Sequence, residues 1–310
     1  MPAQLRLDSG SGFEFRQDRP FFMPIPAATF RRPWLLVLPS FAWLAVLVGL
    51  PLIFVFVLSL TRREASGTIE WTFGLTNYLR AFDRLYLLIY LRSFVLAAVT
   101  TILCLMLGFP VAQFVAAQRS TAVKNLLLLL VTLPFWTSFL VRTYAWIILL
   151  RTEGVVNQTL LHWKLIQDPL PLLYNNFAIL VGLVYGELPF VILPLYSVLE
   201  KIEKPLVEAS ADLGCGAWRT FWRVLFPLSR SGVAAAVILV FVPSLGAFLI
   251  PDLLGGAKSV MVGGLVQSQF AVIRDQPFGS AIASLLTGLV LFLLVLSYRA
   301  LRQSVEGKVP

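Results

Sequence analysis

Six long apolar stretches, separated by short polar segments, constrain this sequence more than any other feature. A helix needs about 20 mostly apolar residues to cross the hydrocarbon core of a bilayer, and each stretch approaches or exceeds that length. Only 13% of the 310 residues are charged, about half the share in a soluble domain. The sequence therefore predicts an all-α integral membrane protein with six transmembrane helices. The predicted spans are residues 34–60, 93–117, 125–150, 177–199, 233–251 and 278–300.

The spans predict three regions, namely an N-terminal cytoplasmic segment (1–33), a transmembrane domain (34–300) and a cytoplasmic tail (301–310). Segment 1–33 has no short apolar core before a small-residue cleavage site, so we do not expect a cleaved signal peptide. Lysine and arginine are more frequent on the side that holds both termini, and Arg31 and Arg32 directly precede the first span. Positive residues near span ends favour the cytoplasm, which predicts a multi-pass protein with both termini inside.

The basic composition does not predict a nucleic-acid-binding protein. The formal charge is +9, but the basic residues stand in short clusters at span ends and form no continuous face for phosphates. His162 is the only histidine and is expected in a wet loop, while Cys104 lies inside an apolar stretch and Cys215 in a polar loop. A histidine-based catalytic triad, a zinc site and a structural disulfide are therefore not expected. We predict no catalytic and no metal-ligating residues.

Two of the spans contain residues that interrupt a helix or carry charge. The third includes Pro134 and Arg142, and the fifth includes Pro243 and Gly246. Such features are tolerated at membrane depth where neighbouring helices or water satisfy the freed polar groups, so we expect both spans to face protein or a cavity. In the fourth span, Gly182 and Gly186 form a small-xxx-small pair that predicts close helix packing.

The connection between the fourth and fifth spans, residues 200–232, has a pattern of its own. Apolar residues recur at helical spacing on both sides of Gly214-Cys215-Gly216. This predicts two short amphipathic helices with a glycine turn between them. Such a pair either lies on the membrane surface or docks into a partner.

Within this connection the sequence resembles the cytoplasmic signature of permease subunits in bacterial ABC importers. The matching residues are Glu208, Ala209, Ser210, Asp212, Leu213, Gly214 and Pro227. The resemblance implies that the first short helix sits in a cleft on an ATPase subunit, with Glu208 and Gly214 in the roles of the signature glutamate and glycine. A short stiff helix suits that role, and glycine lets the chain turn sharply behind it. Ser210 replaces the usual alanine, which is a small change.

Three further segments are similar to spermidine/putrescine permeases, a subfamily whose relatives import opines and amino-acid-like solutes. They are residues 134–146, 251–256 and 274–279. The resemblance implies a MetI-like permease fold in the bacterial inner membrane and a second, homologous permease subunit. It also implies an ATPase dimer inside and a periplasmic or lipid-anchored substrate-binding protein outside. ATP and Mg would be bound by the ATPase, and this chain would bind no cofactor.

Charged residues within spans are costly and indicate function by default. Arg142 and Glu187 are the two candidates. A polyamine cargo would favour a carboxylate flanked by aromatic faces, whereas Arg142 would favour a carboxylate-bearing solute. Alternatively, the two charges neutralise each other or reach a surface. The candidate substrate path comprises Trp136, Arg142, Tyr144, Tyr185, Glu187 and Asp252.

Two other classes of membrane protein compete with the importer. An ion-coupled secondary transporter would explain Glu187 and the broken helices, but its characteristic internal repeats are not found in the sequence. It also has no use for the signature between Glu208 and Pro227. A membrane-embedded enzyme would need a cluster of histidine, aspartate or metal ligands within the spans. The sequence therefore favours a non-catalytic permease subunit that relies on a separate ATPase.

Overall fold

The computed structural model describes residues 34–64, 67–256 and 259–306. Segment 1–33, which includes Arg31 and Arg32, and the end of the tail, 307–310, lie outside the described residues. Contacts divide the chain into two units, residues 1–50 and 51–310. In the first unit, α1 (Trp34–Leu44) leads into a π-helical segment, Ala45–Gly49. Its side chains from residue 38 onward are nearly all apolar and exposed, as expected of a surface that contacts lipid.

The second unit is almost entirely helical, which agrees with the predicted fold class. One small exception is a two-stranded antiparallel pair, β1 (Arg62–Arg63) and β2 (Ile69–Glu70), in which Arg62 lies opposite Glu70. The helices are α2 (Leu50–Ser59), α3 (Thr76–Ala81), α4 (Arg84–Ala117), α5 (Thr121–Thr132), α6 (Phe139–Leu150), α7 (Val155–His162), α8 (Asn176–Leu199), α9 (Lys204–Asp212), α10 (Ala217–Thr220), α11 (Phe226–Leu228), α12 (Arg230–Gly246), α13 (Leu249–Gly255), α14 (Val262–Ser268) and α15 (Gln276–Glu306).

Four helices among the described residues are long and apolar enough to cross a membrane singly: Leu38–Ser59, Arg84–Ala117, Asn176–Leu199 and Gln276–Ser297. Two bent pairs raise the number to six if each pair is one span. The hydropathy placed four spans correctly in outline, although the second helix begins nine residues earlier than predicted, at Arg84. His162 ends α7 and does not lie in a loop, although it is exposed as expected.

The third predicted span, 125–150, is not one straight helix. A 3₁₀ turn, Leu133–Trp136, follows α5, and the two halves of the pair are bent by 90°. Pro134 lies in this turn, where its ring and missing N–H prevent an α-helix from continuing. The prediction of a single helix was therefore wrong at Pro134, which the sequence analysis had named as a residue that interrupts a helix.

The fifth predicted span, 233–251, also ends earlier than expected. Helix α12 ends at Gly246, and residues 249–251 belong to the separate helix α13. Pro243 stays inside α12. The end of α12 lies close to Gly263 of α14. A side chain at Gly263 would lie only 2.1 Å from the carbonyl oxygen of Gly246. The missing side chain of Gly263 thus lets the two backbones meet where the helix breaks, whereas a side chain at Gly246 would meet nothing within 4 Å.

The main core lies between α4, α8 and α12. Its fully buried side chains include Cys104, Ala112, Val191, Leu195 and Val240. A second cluster, around Ile179, Leu183 and Leu254, packs α13 against α8. A third joins α3, α14 and the start of α15 around Phe278. These clusters fix the helices around which the candidate site is built.

Candidate functional site

Helix α9 presents an outward face that the rest of the described chain leaves open. It begins at Lys204, with Pro205 in the first turn, a position where the missing N–H of proline costs no helical hydrogen bond. Glu208, Ala209 and Asp212 are exposed, and the side chain of Leu213 is 84% exposed. On the opposite face Val207 packs against the main core. The geometry agrees with the predicted short amphipathic helix.

The end of α9 is closed by a Schellman motif centred on Gly214. The N–H of Cys215 donates to the carbonyl oxygen of Ser210 at 3.0 Å, and the N–H of Gly214 donates to that of Ala211 at 2.8 Å. Gly214 has a φ of 77°, in the left-handed region that glycine adopts without a steric penalty. The predicted glycine turn is therefore present, and position 214 is where the backbone conformation requires a glycine.

Ser210 connects the two short helices. Its hydroxyl donates to the carbonyl oxygen of Val207 at 2.8 Å and lies 2.9 Å from the Thr220 hydroxyl, with both side chains buried. Because Ser210 has one proton and gives it to Val207, the Thr220 hydroxyl donates in the second bond. Sequence reasoning treated Ser210 as a small departure from the signature and missed Thr220. The available signal was the pair of hydroxyl residues on the two predicted helices.

The second short helix is a chain of three pieces, α10, a π-helical segment (Phe221–Leu225) and α11, which contains Pro227. Phe221 stacks edge to face on Phe109 of α4, with ring centroids 4.9 Å apart. A cavity of about 550 Å³ lies between α9 and the ends of α4 and α8, lined in part by Val207, Glu208 and Leu225. The two short helices therefore contact the core through a few specific side chains.

An ion pair ties the start of α5 to the end of α8. The Lys124 ammonium donates to Glu200 Oε1 at 2.9 Å. The Tyr196 hydroxyl and Lys124 together lower the pKa of Glu200 below its usual range. Both charged side chains lie at the end of the fourth span that leads into α9. The sequence contained both residues but no spacing signal that could have paired them.

The structure does not bring Arg142 and Glu187 together as an ion pair. Within the described residues, Arg142 Nε and Glu187 Oε2 are both buried and without a hydrogen-bond partner. Arg142 lies with Trp146, Tyr185 and Gly182 around a small cavity. Tyr185 and Glu187 are two residues apart on α8 and so point to nearly opposite sides of that helix. Mutual neutralisation, one of the predicted alternatives, does not occur in this conformation.

The remaining candidate path residues are more exposed. Trp136 is 83% exposed in the turn after α5, and Tyr144 on α6 is exposed as well. Asp252 is exposed on α13. The aromatic partner of Tyr185 is Trp146, with ring centroids 5.6 Å apart, and the sequence analysis did not select Trp146. Three described elements, α6, α8 and α13, thus carry most of the candidate path.

The fold and these elements match known transport proteins. Residues 105–307 match the family described as binding-protein-dependent transport system inner membrane component. The spermidine/putrescine transport system permease protein PotB of Escherichia coli is 40% identical over 260 residues, covering 84% of this chain and 94% of PotB. The inner membrane ABC transporter permease protein YdcU of Escherichia coli is 34% identical over 256 residues, covering 78% of this chain and 77% of YdcU.

A solved structure shares the fold at low sequence identity. It is a chain in the crystal structure of a bacterial alginate ABC transporter in complex with an alginate pentasaccharide-bound periplasmic protein. The TM-score is 0.69 at 15% identity, covering 86% of this chain and 93% of that chain. The predicted non-catalytic permease with a membrane-embedded helical fold is thereby confirmed. This chain belongs to the family of inner-membrane components of binding-protein-dependent transport systems, as a permease subunit of the ABC type.

Proposed function

We propose that this chain is one of two permease subunits that enclose the pathway of an ATP-driven importer of spermidine, putrescine or a related small nitrogenous solute. The observation that carries the coupling role is the outward face of α9, which is exposed and backed by the core. The cargo follows from the identity of 40% to a spermidine/putrescine permease over 84% of the chain. The second permease is a different, homologous chain.

Energy enters through α9. An ATPase dimer on the cytoplasmic side binds ATP and Mg and closes on them, while this chain binds neither. Helix α9 sits in a cleft of one ATPase subunit, with Glu208 and Gly214 at the contact. Its movement reaches α4 through the hydrogen bond from Thr220 to Ser210 and the contact between Phe221 and Phe109. The spans then alternate between outward-open and inward-open arrangements.

The orientation and the outer partner complete the proposal. Both termini are cytoplasmic, so the connection that holds α9 faces the ATPase. On the other side, a periplasmic or lipid-anchored binding protein delivers the solute. With this orientation the connection between the first two spans is external, and its Arg62, Arg63 and Arg80 lie around an open cavity of about 440 Å³.

The cargo contacts Glu187 as an ammonium ion. Glu187 lies inside the fourth span, and its Oε2 has no hydrogen-bond partner among the described residues. A buried carboxylate oxygen without a partner is costly, and an ammonium group of a passing polyamine would satisfy it. Arg142 lines a small cavity whose lining does not include Glu187, and the two form no ion pair among the described residues, so the carboxylate is left for the cargo.

The coupling role is tested with Glu208→Ala in the assembled transporter. Loss of one charged contact at the ATPase interface is expected to lower uptake and ATPase stimulation roughly tenfold, without loss of membrane insertion. Glu153→Ala is the matched control, because Glu153 is exposed in the predicted external connection after α6. Full uptake with Glu208→Ala would rule out the proposed coupling.

The cargo is tested by competition for uptake of labelled putrescine in cells that express this chain with its partner subunits. Unlabelled polyamines should compete, and opines and amino acids should not. Glu187→Gln should raise the putrescine concentration needed for half-maximal uptake. Competition by carboxylate-bearing solutes alone would contradict a polyamine cargo and would shift the cargo contact to Arg142.

A further inference from the structure

The second short helix carries two indole side chains, Trp218 and Trp222, that neither the proposed coupling nor cargo binding uses. We call residues 217–228 the aromatic segment. Trp218 is 73% exposed and Trp222 is 48% exposed, and their rings meet edge to face at 5.7 Å. The ring centroids of Phe226 and Trp222 are 5.1 Å apart, and Phe221 packs against Phe109 of α4. The two indoles are therefore held in place on a packed aromatic base while their outer faces stay open.

The direction of the aromatic segment places it along the membrane surface. It is bent by 75° from α12, which follows it after a single residue. Because α12 belongs to the fifth span, a helix at this angle runs close to the plane of the bilayer. The segment ends at Leu228 and α12 begins at Arg230, so its depth is that of the headgroups at this end of the span.

Charge is distributed around the segment as expected for an interfacial helix. Trp218 and Trp222 are four residues apart and share one side of the helix, and Arg219 and Arg223 have the same spacing on the neighbouring side. Both arginines are exposed, and no ion pair involves them within the described part of the chain. Thr220 and Leu225 of the same segment are buried against the protein. No acidic residue occurs between Gly214 and Arg230.

We propose that the aromatic segment binds anionic phospholipids of the leaflet next to the ATPase. Indole rings favour the boundary between headgroups and acyl chains, and exposed arginines next to them pair with lipid phosphates. The connection between the fourth and fifth spans then has two partners, with α9 on the ATPase and the aromatic segment on lipid. The buried bond between Thr220 and Ser210 joins the two halves, so lipid composition affects the position of α9.

This inference rests on the proposed function only for the identity of the leaflet. The test uses the whole transporter in nanodiscs of mixed phosphatidylcholine and phosphatidylglycerol, with the photo-crosslinking residue benzoylphenylalanine in place of Trp222. Phosphatidylglycerol adducts should exceed the share of that lipid in the bilayer. Each of the substitutions Arg219→Gln and Arg223→Gln should lower the excess of phosphatidylglycerol adducts about fivefold, and the double variant combines the two losses. Arg119→Gln, which removes a positive charge near the same membrane face, should leave the excess unchanged.

Three results would overturn the lipid contact. They are adducts with the ATPase alone, lipid adducts in proportion to bilayer composition, and an equal loss with Arg119→Gln. If the crosslinker at Trp222 prevents assembly, the same measurement is made with it in place of Trp218. A parallel crosslinker in place of Leu213 should react with the ATPase. Absence of that product alone would count against docking of α9 and would leave the lipid result standing.

Discussion

At the scale of single residues, the sharpest constraint in the connection is the backbone of Gly214. Its φ of 77° closes α9, whereas Gly216, two residues later, has a φ of −66°. A side chain added at either glycine would meet nothing within 4 Å. The two positions therefore differ in backbone conformation and not in available space, which makes them a matched pair.

Gly214→Ala should destabilise the end of α9. Alanine in a left-handed conformation costs about 1–2 kcal/mol, so hydrogen-exchange protection across residues 204–212 should fall roughly tenfold. Gly216→Ala should not lower protection, because alanine adopts that backbone without strain. Equal protection in the two variants would show that the Schellman motif does not hold α9.

The hydroxyl pair of Ser210 and Thr220 should contribute a measurable coupling energy. A double-mutant cycle with Ser210→Ala and Thr220→Val is expected to give an interaction of about 1 kcal/mol, the usual value for a buried neutral hydrogen bond. Thermal unfolding of the four proteins measures it. Additive single effects would mean that the two short helices are held together by packing alone.

At the scale of elements, close approach of α13 to α8 depends on one glycine of the predicted pair. A side chain at Gly182 would lie 2.6 Å from Leu254 Cδ1 and 2.9 Å from Ile250 Cγ2, whereas one at Gly186 would meet nothing within 4 Å. The small-xxx-small pattern thus predicted the packing correctly at Gly182 only. Spacing in sequence identifies a helix face but does not show how far the neighbouring helix extends along it.

Gly182→Ala should destabilise the subunit while Gly186→Ala should not. The added methyl group at Gly182 overpacks a buried contact, which costs about 1–3 kcal/mol. At Gly186 the same change gains up to about 1 kcal/mol of helix propensity. The unfolding temperature of the purified transporter in detergent distinguishes the two. A lower unfolding temperature for Gly186→Ala than for Gly182→Ala would contradict this packing.

Hydropathy predicted the long helices well and the short ones poorly. Helices α13 and α14 are seven residues each and apolar, so in a hydropathy profile they merge with neighbouring spans or disappear into loops. The first short helix and its glycine turn were predictable because amphipathic spacing and Gly214 are local signals. The lack of an ion pair between Arg142 and Glu187 was not predictable, because it depends on which side of each helix faces the neighbouring helix.

At the scale of the whole molecule, three arginines of the connection between the first two spans and of α4 bind distant parts of the chain. Arg63 donates to the carbonyl oxygen of Ile273 at 2.9 Å, and Arg92 donates to the Ser259 hydroxyl at 2.9 Å. Arg80 pairs with Asp275 at 2.8 Å and covers the ring of Phe278 at 4.0 Å. The span ends on this side of the molecule are therefore joined by side chains of residues far apart in sequence.

Among these contacts, the ion pair of Arg80 and Asp275 should contribute most to the free energy of unfolding. The Asp275 side chain is only 9% exposed, and it also accepts a hydrogen bond from the N–H of Phe278 at the start of α15. Arg80→Ala leaves that carboxylate buried without its partner and should cost about 1–3 kcal/mol of unfolding free energy. Arg84→Ala, at an exposed arginine four residues away, should cost less than about 0.5 kcal/mol.

Asp275→Asn separates the two roles of the carboxyl group, because an asparagine keeps an oxygen for the Phe278 N–H but carries no charge. If the ion pair is the stabilising contact, Arg80→Ala should cost much less in the Asp275→Asn background than in the native one. Thermal unfolding of the four proteins gives the interaction energy. An unchanged cost would assign the effect of Arg80 to its contact with the Phe278 ring, and the joining of these span ends would then depend on packing and not on charge.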